Sequence, residues 1–201
     1  DKFDFPGSLS YHSGGIYDIG TGDEKPEKQW TFSIIERIFA RAKFLTGSEQ
    51  QKFLLYGHSA GGQFVHRFLT FNSGFKVARA VAANAGWYTL PLFTKDFPYG
   101  MGNSPANISN LKKLLATDLT ILLGDRDTRQ TKNLRQTRAA RDQGLHRLAR
   151  GKNYFRVGQE EAIKRNLQFN WKLKTVPGVG HSNEGMASIA ASILLNKNPS
   201  K

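Results

Sequence analysis

The sequence predicts an α/β fold in which a mostly parallel sheet is covered by helices on both faces. Short, continuously apolar runs are typical of strands that are buried on both faces, and here they alternate with longer segments of helical periodicity. Each run stops at Gly, Asn or Pro, as a buried strand does where it opens into a loop. The four predicted strands are 52–56, 77–83, 119–123 and 171–176.

Apolar residues that recur every three to four positions predict the helices of this fold. Gly151 and Gly158 weaken the pattern of one of them, because glycine disfavours a helix interior. The opening thirty residues and the segment 91–109 show no sustained period, so we predict loops there. The predicted helices are one that begins near Trp30 and stops at Gly47, and then 63–71, 146–167 and 186–195.

Length and composition indicate one globular domain that spans residues 1–201. A chain of 201 residues with 39% hydrophobic residues can bury one substantial core. Polar or glycine residues interrupt every apolar run well before the length of about 18 residues that a membrane-spanning helix needs. The chain has no cysteine, which excludes disulfides, thiolate metal sites and cysteine nucleophiles but leaves the cellular compartment open.

The formal charge of +13 allows for an anionic partner. The densest basic segment, 126–150, contains no aromatic residue, whereas single-strand binders interleave basic and stacking side chains. We therefore favour a solvated surface over a nucleic-acid site. A non-catalytic protein that binds nucleic acid or another polyanion through this face is the alternative from a different class. The basic residues of the segment are Arg126, Arg129, Lys132, Arg135, Arg138, Arg141, Arg147 and Arg150.

The motif GHSAG, which places Ser59 between a predicted strand and a predicted helix, has the form of a nucleophile elbow. In such an elbow a strained turn raises the serine hydroxyl above the sheet. We expect a residue larger than glycine to clash at Gly57 or Gly61, where the backbone passes closely. The backbone N–H of Ala60, at the start of the helix, would then help to stabilise an oxyanion.

Polar residues that follow two other strands can activate this serine. A serine hydroxyl needs a base within reach and a group that fixes the tautomer of the base. Asp125 and Asp127 follow the strand 119–123, and His181 follows a Pro- and Gly-containing turn after the strand 171–176. Read singly, the histidine could cap a helix and the aspartates could form a surface turn.

The remaining histidines give no metal site. His12, His58, His66 and His146 are predicted to be structural or exposed, and no group of residues has metal-ligand spacing. The glycine-rich elbow also lacks the Lys-Ser/Thr ending of a phosphate-binding loop. We therefore expect no metal and no cofactor.

The segments YGHSAGGQFVHRF, AVAANAGWYT, LLGDRDT and VPGVGHSNEGM resemble the α/β-hydrolase superfamily, and within it a bacterial esterase group related to polyhydroxyalkanoate-depolymerase-like hydrolases. The order of Ser59, Asp127 and His181 along the chain is that of the superfamily. The resemblance implies that Ser59 is the nucleophile, His181 the base and Asp127 the acid, with Asp125 as the fallback. It implies cleavage of carboxylic esters through an acyl-serine intermediate.

The substrate is expected to be a small-molecule ester with its acyl group near Trp87 and Tyr88, which follow the strand 77–83. A peptidase or thioesterase with the same three residues is the nearest alternative, because the fold does not decide between them.

One feature departs from the superfamily pattern, in which several strands precede the elbow. Only one strand is predicted before Ser59, so we expect this chain to be the C-terminal part of a longer protein or one chain of a divided one. The strand 52–56 would otherwise be an apolar edge, which invites aggregation. The second oxyanion donor would then lie outside the sequence, unless the opening Gly-rich loop supplies it.

Overall fold

A computed structural model describes residues 8–72 and 74–196 of the chain. It contains four strands and seven α-helices within these residues, together with a 3₁₀ turn at Glu27–Gln29. No helix of the described residues has both the length and the apolar character that a membrane crossing requires. In chain order the helices and strands are α1 Ser8–Ser13, α2 Ser33–Thr46, β1 Phe53–His58, α3 Ala60–Phe71, β2 Val77–Ala83, α4 Ile108–Ala116, β3 Leu119–Gly124, α5 Arg138–Arg141, α6 Arg147–Lys164, β4 Lys172–Val176 and α7 Asn183–Leu194.

The four strands form one sheet in the order β1-β2-β3-β4, and every neighbouring pair is parallel. Helices α3, α4 and α6 belong to the larger core cluster on one face, and α7 packs on the other face. The predicted class, a parallel sheet with helices on both faces, is therefore confirmed. Because all strands run in the same direction, their carboxyl ends meet at one edge.

The core divides into two clusters because successive side chains of a strand point to opposite faces. In β3, Ile121 and Leu123 face the larger cluster with α3, α4 and α6, whereas Leu122 faces α7. β2 alternates in the same way, with Ala82 on the larger side and Val81 on the α7 side.

The expectation that every strand is buried on both faces is correct for β3 and wrong for β4. All residues of β3 are buried, but in β4 only Val176 is buried. β1 is also partly exposed, with Leu54 43% exposed. The reason is position, since β1 and β4 lie at the two ends of the strand order within the described residues. A further neighbour for β1 stays a prediction.

Other sequence expectations differ from the structure in the loops. The opening segment, expected to be irregular, contains α1 and the 3₁₀ turn within its described part. Helix α4 was not predicted, although Asn107 caps it by accepting hydrogen bonds from the backbone N–H groups of Ser109 and Asn110. The predicted helices 146–167 and 186–195 correspond to α6 and α7 with shifted ends.

Gly151 and Gly158 do not interrupt α6. A Cβ atom at Gly151 would overlap the side chain of Leu123, and one at Gly158 would overlap the ring of Trp171. The two glycines therefore let α6 lie directly against β3 and against the residue before β4. The low helix propensity of glycine is outweighed here by close packing.

Candidate active site

Ser59, Asp127 and His181 lie together at the carboxyl edge of the sheet. Ser59 connects β1 to α3, Asp127 lies three residues beyond the end of β3, and His181 lies between β4 and α7. Ser59 has φ 57° and ψ −115°, a conformation that L residues rarely adopt. The turn between strand and helix is thus as sharp as the sequence predicted.

The three side chains form a continuous hydrogen-bonded chain. The Ser59 Oγ is 3.0 Å from Nε2 of His181, and Nδ1 of His181 is 2.8 Å from Oδ2 of Asp127. A carboxylate only accepts hydrogen bonds, so Nδ1–H donates to Asp127 and Nε2 is left to accept the serine hydroxyl. This tautomer is the one in which the imidazole can take a proton from Ser59.

Arg147 lies next to the carboxylate of Asp127. Asp127 is buried, with 2% of its surface exposed. Nη1 of Arg147 is 3.6 Å from Oδ1 of Asp127, and Nη2 of Arg147 donates to the hydroxyl of Thr131 at 3.3 Å. Burial lowers the pKa of Arg147, and the neighbouring Asp127 opposes that shift. The guanidinium supplies an opposite charge, which a buried carboxylate needs.

Asp125 binds the turn that precedes His181. Its carboxylate accepts the backbone N–H of Gly178 at 2.8 Å, and its own N–H donates to the carbonyl of Val176 at 3.2 Å. Asp125 therefore fixes the turn that leads to His181, whereas Asp127 touches the imidazole itself. The roles of the two residues in a reaction stay predictions.

The glycines of the elbow contribute unequally. A Cβ atom at Gly57 would overlap the backbone carbonyl group of Gly61, and one at Gly62 would lie 2.7 Å from the carbonyl oxygen of Ala83. At Gly61 a Cβ atom would meet nothing within 4 Å. The expected clash at Gly61 is thus wrong, and the steric constraint lies at Gly57 and Gly62.

A cleft of about 610 Å³ opens in front of Ser59. Ala60 lines it at the start of α3, where backbone N–H groups have no partner within the helix. Three cationic side chains line the cleft, and none of the described residues that line it is acidic. The lining residues are His12, Ser59, Ala60, Gln63, Gly86, Trp87, Lys132, Asn133, Leu134, Arg135, Gln136 and Arg147.

Trp87 and Tyr88, predicted together at the substrate, point to different places. Trp87 lines the cleft, where Arg67 and Arg135 lie 3.8 Å and 4.8 Å from the centroid of its ring. Tyr88 is fully buried and stacks on Tyr154 with ring centroids 4.5 Å apart. Tyr88 therefore belongs to the core and does not contact the cleft.

The basic segment 126–150 is not a uniformly solvated surface as expected. Arg147 is 2% exposed and Arg150 is 0% exposed. Arg150 donates from Nη1 to the carbonyl of Gly86 at 2.7 Å and from Nε to the carbonyl of Gly144 at 2.8 Å. A basic run cannot indicate which of its members a helix turns toward the core, so these two residues were missed.

Three histidines near the site remain neutral at pH 7. Burial, and then the charges of Arg67 and Arg135, lower the pKa of His12 to about 4. Burial, and then His181, lower the pKa of His58 to about 4. His66 accepts the backbone N–H of Thr89 at 3.0 Å, and burial lowers its pKa well below the usual value.

The described residues contain no group of three or more His, Cys, Asp or Glu side chains that could hold a metal ion.

No protein-family model and no curated protein matches the sequence. Two solved structures are similar over nearly the whole chain. Poly(aspartic acid) hydrolase-1 from Sphingomonas sp. KT-1 is 43% identical with a TM-score of 0.93, and the match covers 97% of this chain and 74% of that one. The LpqC poly(3-hydroxybutyrate) depolymerase from Bordetella parapertussis is 36% identical with a TM-score of 0.90, over 100% of this chain and 69% of that one.

The elbow geometry predicts different effects at two neighbouring glycines. Gly57→Ala forces a methyl group into the Gly61 backbone, so we expect the unfolding free energy to fall by at least about 1–3 kcal/mol. Gly61→Ala has free space, so it should keep or slightly raise stability. Urea denaturation of both variants measures this, and equal losses at the two positions would contradict the packing described.

The lowered histidine pKa values predict that stability falls in mild acid. An unfolded chain binds protons at these imidazoles near pH 6.5, whereas the folded protein binds them at His12 and His58 only near pH 4. The contribution of these groups is therefore complete above pH 6.5 and is lost progressively as the pH falls toward 4. Urea unfolding at several pH values between about 7.5 and about 5 tests this, and a constant unfolding free energy would refute it.

Proposed function

The chain belongs to the α/β-hydrolase superfamily, in the group of polyhydroxyalkanoate-depolymerase-like hydrolases, and we propose that it cleaves carboxylic esters through an acyl-serine intermediate. The observation that carries this proposal is the hydrogen-bonded chain from Ser59 through His181 to Asp127 at the mouth of a cleft. The similar LpqC protein is named for a polyester, which is consistent with an ester substrate.

Each of the three side chains has one task in the proposed reaction. Ser59 Oγ attacks the carbonyl carbon of the ester while Nε2 of His181 takes the hydroxyl proton. His181 returns that proton to the departing alkoxide, which leaves as an alcohol. A water then repeats the sequence on the acyl-serine and releases a carboxylic acid. Asp127 holds the imidazole tautomer and stabilises the imidazolium that forms in each step.

The charge that develops on the carbonyl oxygen needs donors in place before the reaction. We assign the backbone N–H of Ala60 to this task, because it lies at the start of α3 directly after the nucleophile. The second donor stays unassigned. In the described part of the opening segment, His12 lines the cleft.

The charge of the cleft favours an anionic substrate. Lys132 and Arg135 give the cleft a positive potential that no acidic lining residue offsets among those described, whereas the charge of Arg147 is paired with Asp127. Poly(aspartic acid) hydrolase-1, the 43% identical structure, is named for a polyanion with amide bonds. Hydrolysis of amide bonds in an acidic polymer is therefore the second candidate function, with the same three catalytic side chains.

The proposed nucleophile and acid can be tested together. A fluorophosphonate should form its adduct on Ser59, located by mass spectrometry, and Ser59→Ala should remove both labelling and turnover. Asp127→Asn should lower turnover roughly 10⁴-fold, as loss of the orienting carboxylate does in serine proteases. Asp125→Asn is the matched control and should cost far less, because Asp125 only binds the turn at Gly178.

An adduct on another serine, such as Ser182, would overturn the assignment of the nucleophile. A larger loss in Asp125→Asn than in Asp127→Asn would exchange the two aspartates. DNA binding that weakens steeply with salt, without any fluorophosphonate labelling, would instead favour the non-catalytic polyanion-binding alternative.

The preference for anionic substrates can be tested at Arg135. Arg135→Gln should lower kcat/KM for an anionic ester by up to about fivefold, since a partly exposed charge contact contributes at most about 1 kcal/mol. A neutral ester of the same size should be hydrolysed at an unchanged rate. Arg129→Gln removes the same charge from an exposed residue of this segment and is the control. Equal losses for both esters would contradict the preference.

A further inference from the structure

Asn84 follows β2 directly and buries its carboxamide at the edge where the three proposed catalytic residues meet. Its Oδ1 accepts the backbone N–H of Gly124 at 2.9 Å. Because that oxygen is the acceptor, Nδ2 is the donor, and it donates to the carbonyl of Gly180 at 3.2 Å. The same Nδ2 lies 3.4 Å from Nε2 of His58. The carboxamide is therefore bonded on both its oxygen and its nitrogen.

Each of these partners leads directly into a proposed catalytic residue. Gly124 ends β3, and its carbonyl accepts the backbone N–H of Asp127 at 3.1 Å. Gly180 immediately precedes His181, and His58 immediately precedes Ser59. One side chain thus links the three segments that carry the hydroxyl, the imidazole and the carboxylate.

The side-chain hydrogen bonds of Asn84 lie beyond the backbone hydrogen bonds of the sheet. The backbone ladder between β2 and β3 ends at the pair of Ala83 and Leu122, before the turns that carry Asp127 and His181. Beyond that point Asn84 donates its own N–H to Leu122 and uses its side chain to hold Gly124 and Gly180. Without the carboxamide, a buried N–H and a carbonyl would lose a partner, and the two turns could separate.

We propose that Asn84 is a positioning residue, whose carboxamide sets the spacing of Asp127 and His181 relative to Ser59. This inference rests on the proposed function of those three residues. His181 lies 2.8 Å from Asp127 and 3.0 Å from Ser59, and these distances tolerate little displacement. Proton transfer from Ser59 requires His181 to stay within hydrogen-bond distance of the hydroxyl while Asp127 holds its tautomer.

The contact between Asn84 and His58 also affects the charge next to His181, because it favours a neutral His58. An amide N–H can only donate, so Nε2 of His58 accepts and its proton resides on Nδ1, which leaves the ring neutral. The ring centroids of His58 and His181 are 4.7 Å apart. A neutral His58 does not oppose the positive charge that His181 acquires when it takes the serine proton. Burial of His58 acts in the same direction and lowers its pKa to about 4.

Two substitutions of Asn84 can separate the effect of its side chain from the effect of its backbone conformation. Asn84 has φ 46°, in the left-handed region that glycine adopts without strain. Asn84→Gly therefore keeps the backbone and removes the carboxamide. Asn84→Asp keeps the acceptor for Gly124 and loses the amide donor toward Gly180 and His58.

We expect Asn84→Gly to lower kcat roughly 10²-fold, as misplacement of a reacting group by about 1 Å does. KM should stay within about twofold, because the residue does not line the cleft. Asn84→Asp should also lower kcat, because a carboxylate oxygen cannot donate to the carbonyl of Gly180. Asn170→Ala is the structural control: it removes a side-chain bond to the carbonyl of Ala116 at the amino ends of the strands and should leave kcat unchanged.

The measurements are kcat and KM on one ester, the fluorophosphonate labelling rate of Ser59, and circular dichroism for folding. A kcat of Asn84→Gly near the wild-type value, or an equal loss in Asn170→Ala, would overturn the positioning role. If Asn84→Gly does not fold, Asn84→Asp decides, and full activity there overturns the proposal. A wild-type chain without turnover and without a Ser59 adduct contradicts the proposed function itself, and the positioning role with it.

Discussion

The parallel register of the sheet is the constraint on which the site depends. Because β1, β2, β3 and β4 all run in the same direction, the residue that follows each strand lies at one edge. Ser59 and His181 are separated by 122 positions yet touch at 3.0 Å. The sheet therefore needs only short turns, held by backbone hydrogen bonds and by the side chains of Asn84 and Asp125, to bring together a hydroxyl, an imidazole and a carboxylate.

Positive charge in the cleft is carried by lysine and arginine side chains, while His12, His58 and His66 are neutral because their pKa values are lowered. Arg147 lies against Asp127, and Arg67 and Arg135 lie against Trp87. Arg67 and Arg135 add to burial in lowering the pKa of His12. The result is a cleft that is positive at neutral pH without depending on histidine protonation. Under the proposed function, the charge that attracts an anionic substrate and the imidazole that takes the serine proton then belong to different residues.

The sequence pattern was sufficient where local rules govern structure. β2 has the bounds that its apolar run predicted, and the strand-turn-helix context placed Ser59 at a sharp turn. The sequence pattern was insufficient where contacts between distant segments determine the surroundings of a side chain. Nothing in a basic run shows that Arg147 faces Asp127, because this depends on how α6 packs against β3. Likewise Trp87 and Tyr88 are adjacent aromatic residues that the sequence does not distinguish. In the folded chain Trp87 lines the cleft and Tyr88 is buried in the core.

Backbone conformation distinguishes Ser59, the proposed nucleophile, from the other described non-glycine residues that have a positive φ. Five of the described non-glycine residues have positive φ, and four of them are asparagines, which tolerate this region. Ser59 is the exception, at a cost of order 1–3 kcal/mol. It cannot relax easily, because Gly57 lies against the Gly61 backbone and Gly62 lies against Ala83. Close packing of glycines thus imposes the strained turn, and the strained turn holds the serine hydroxyl at His181.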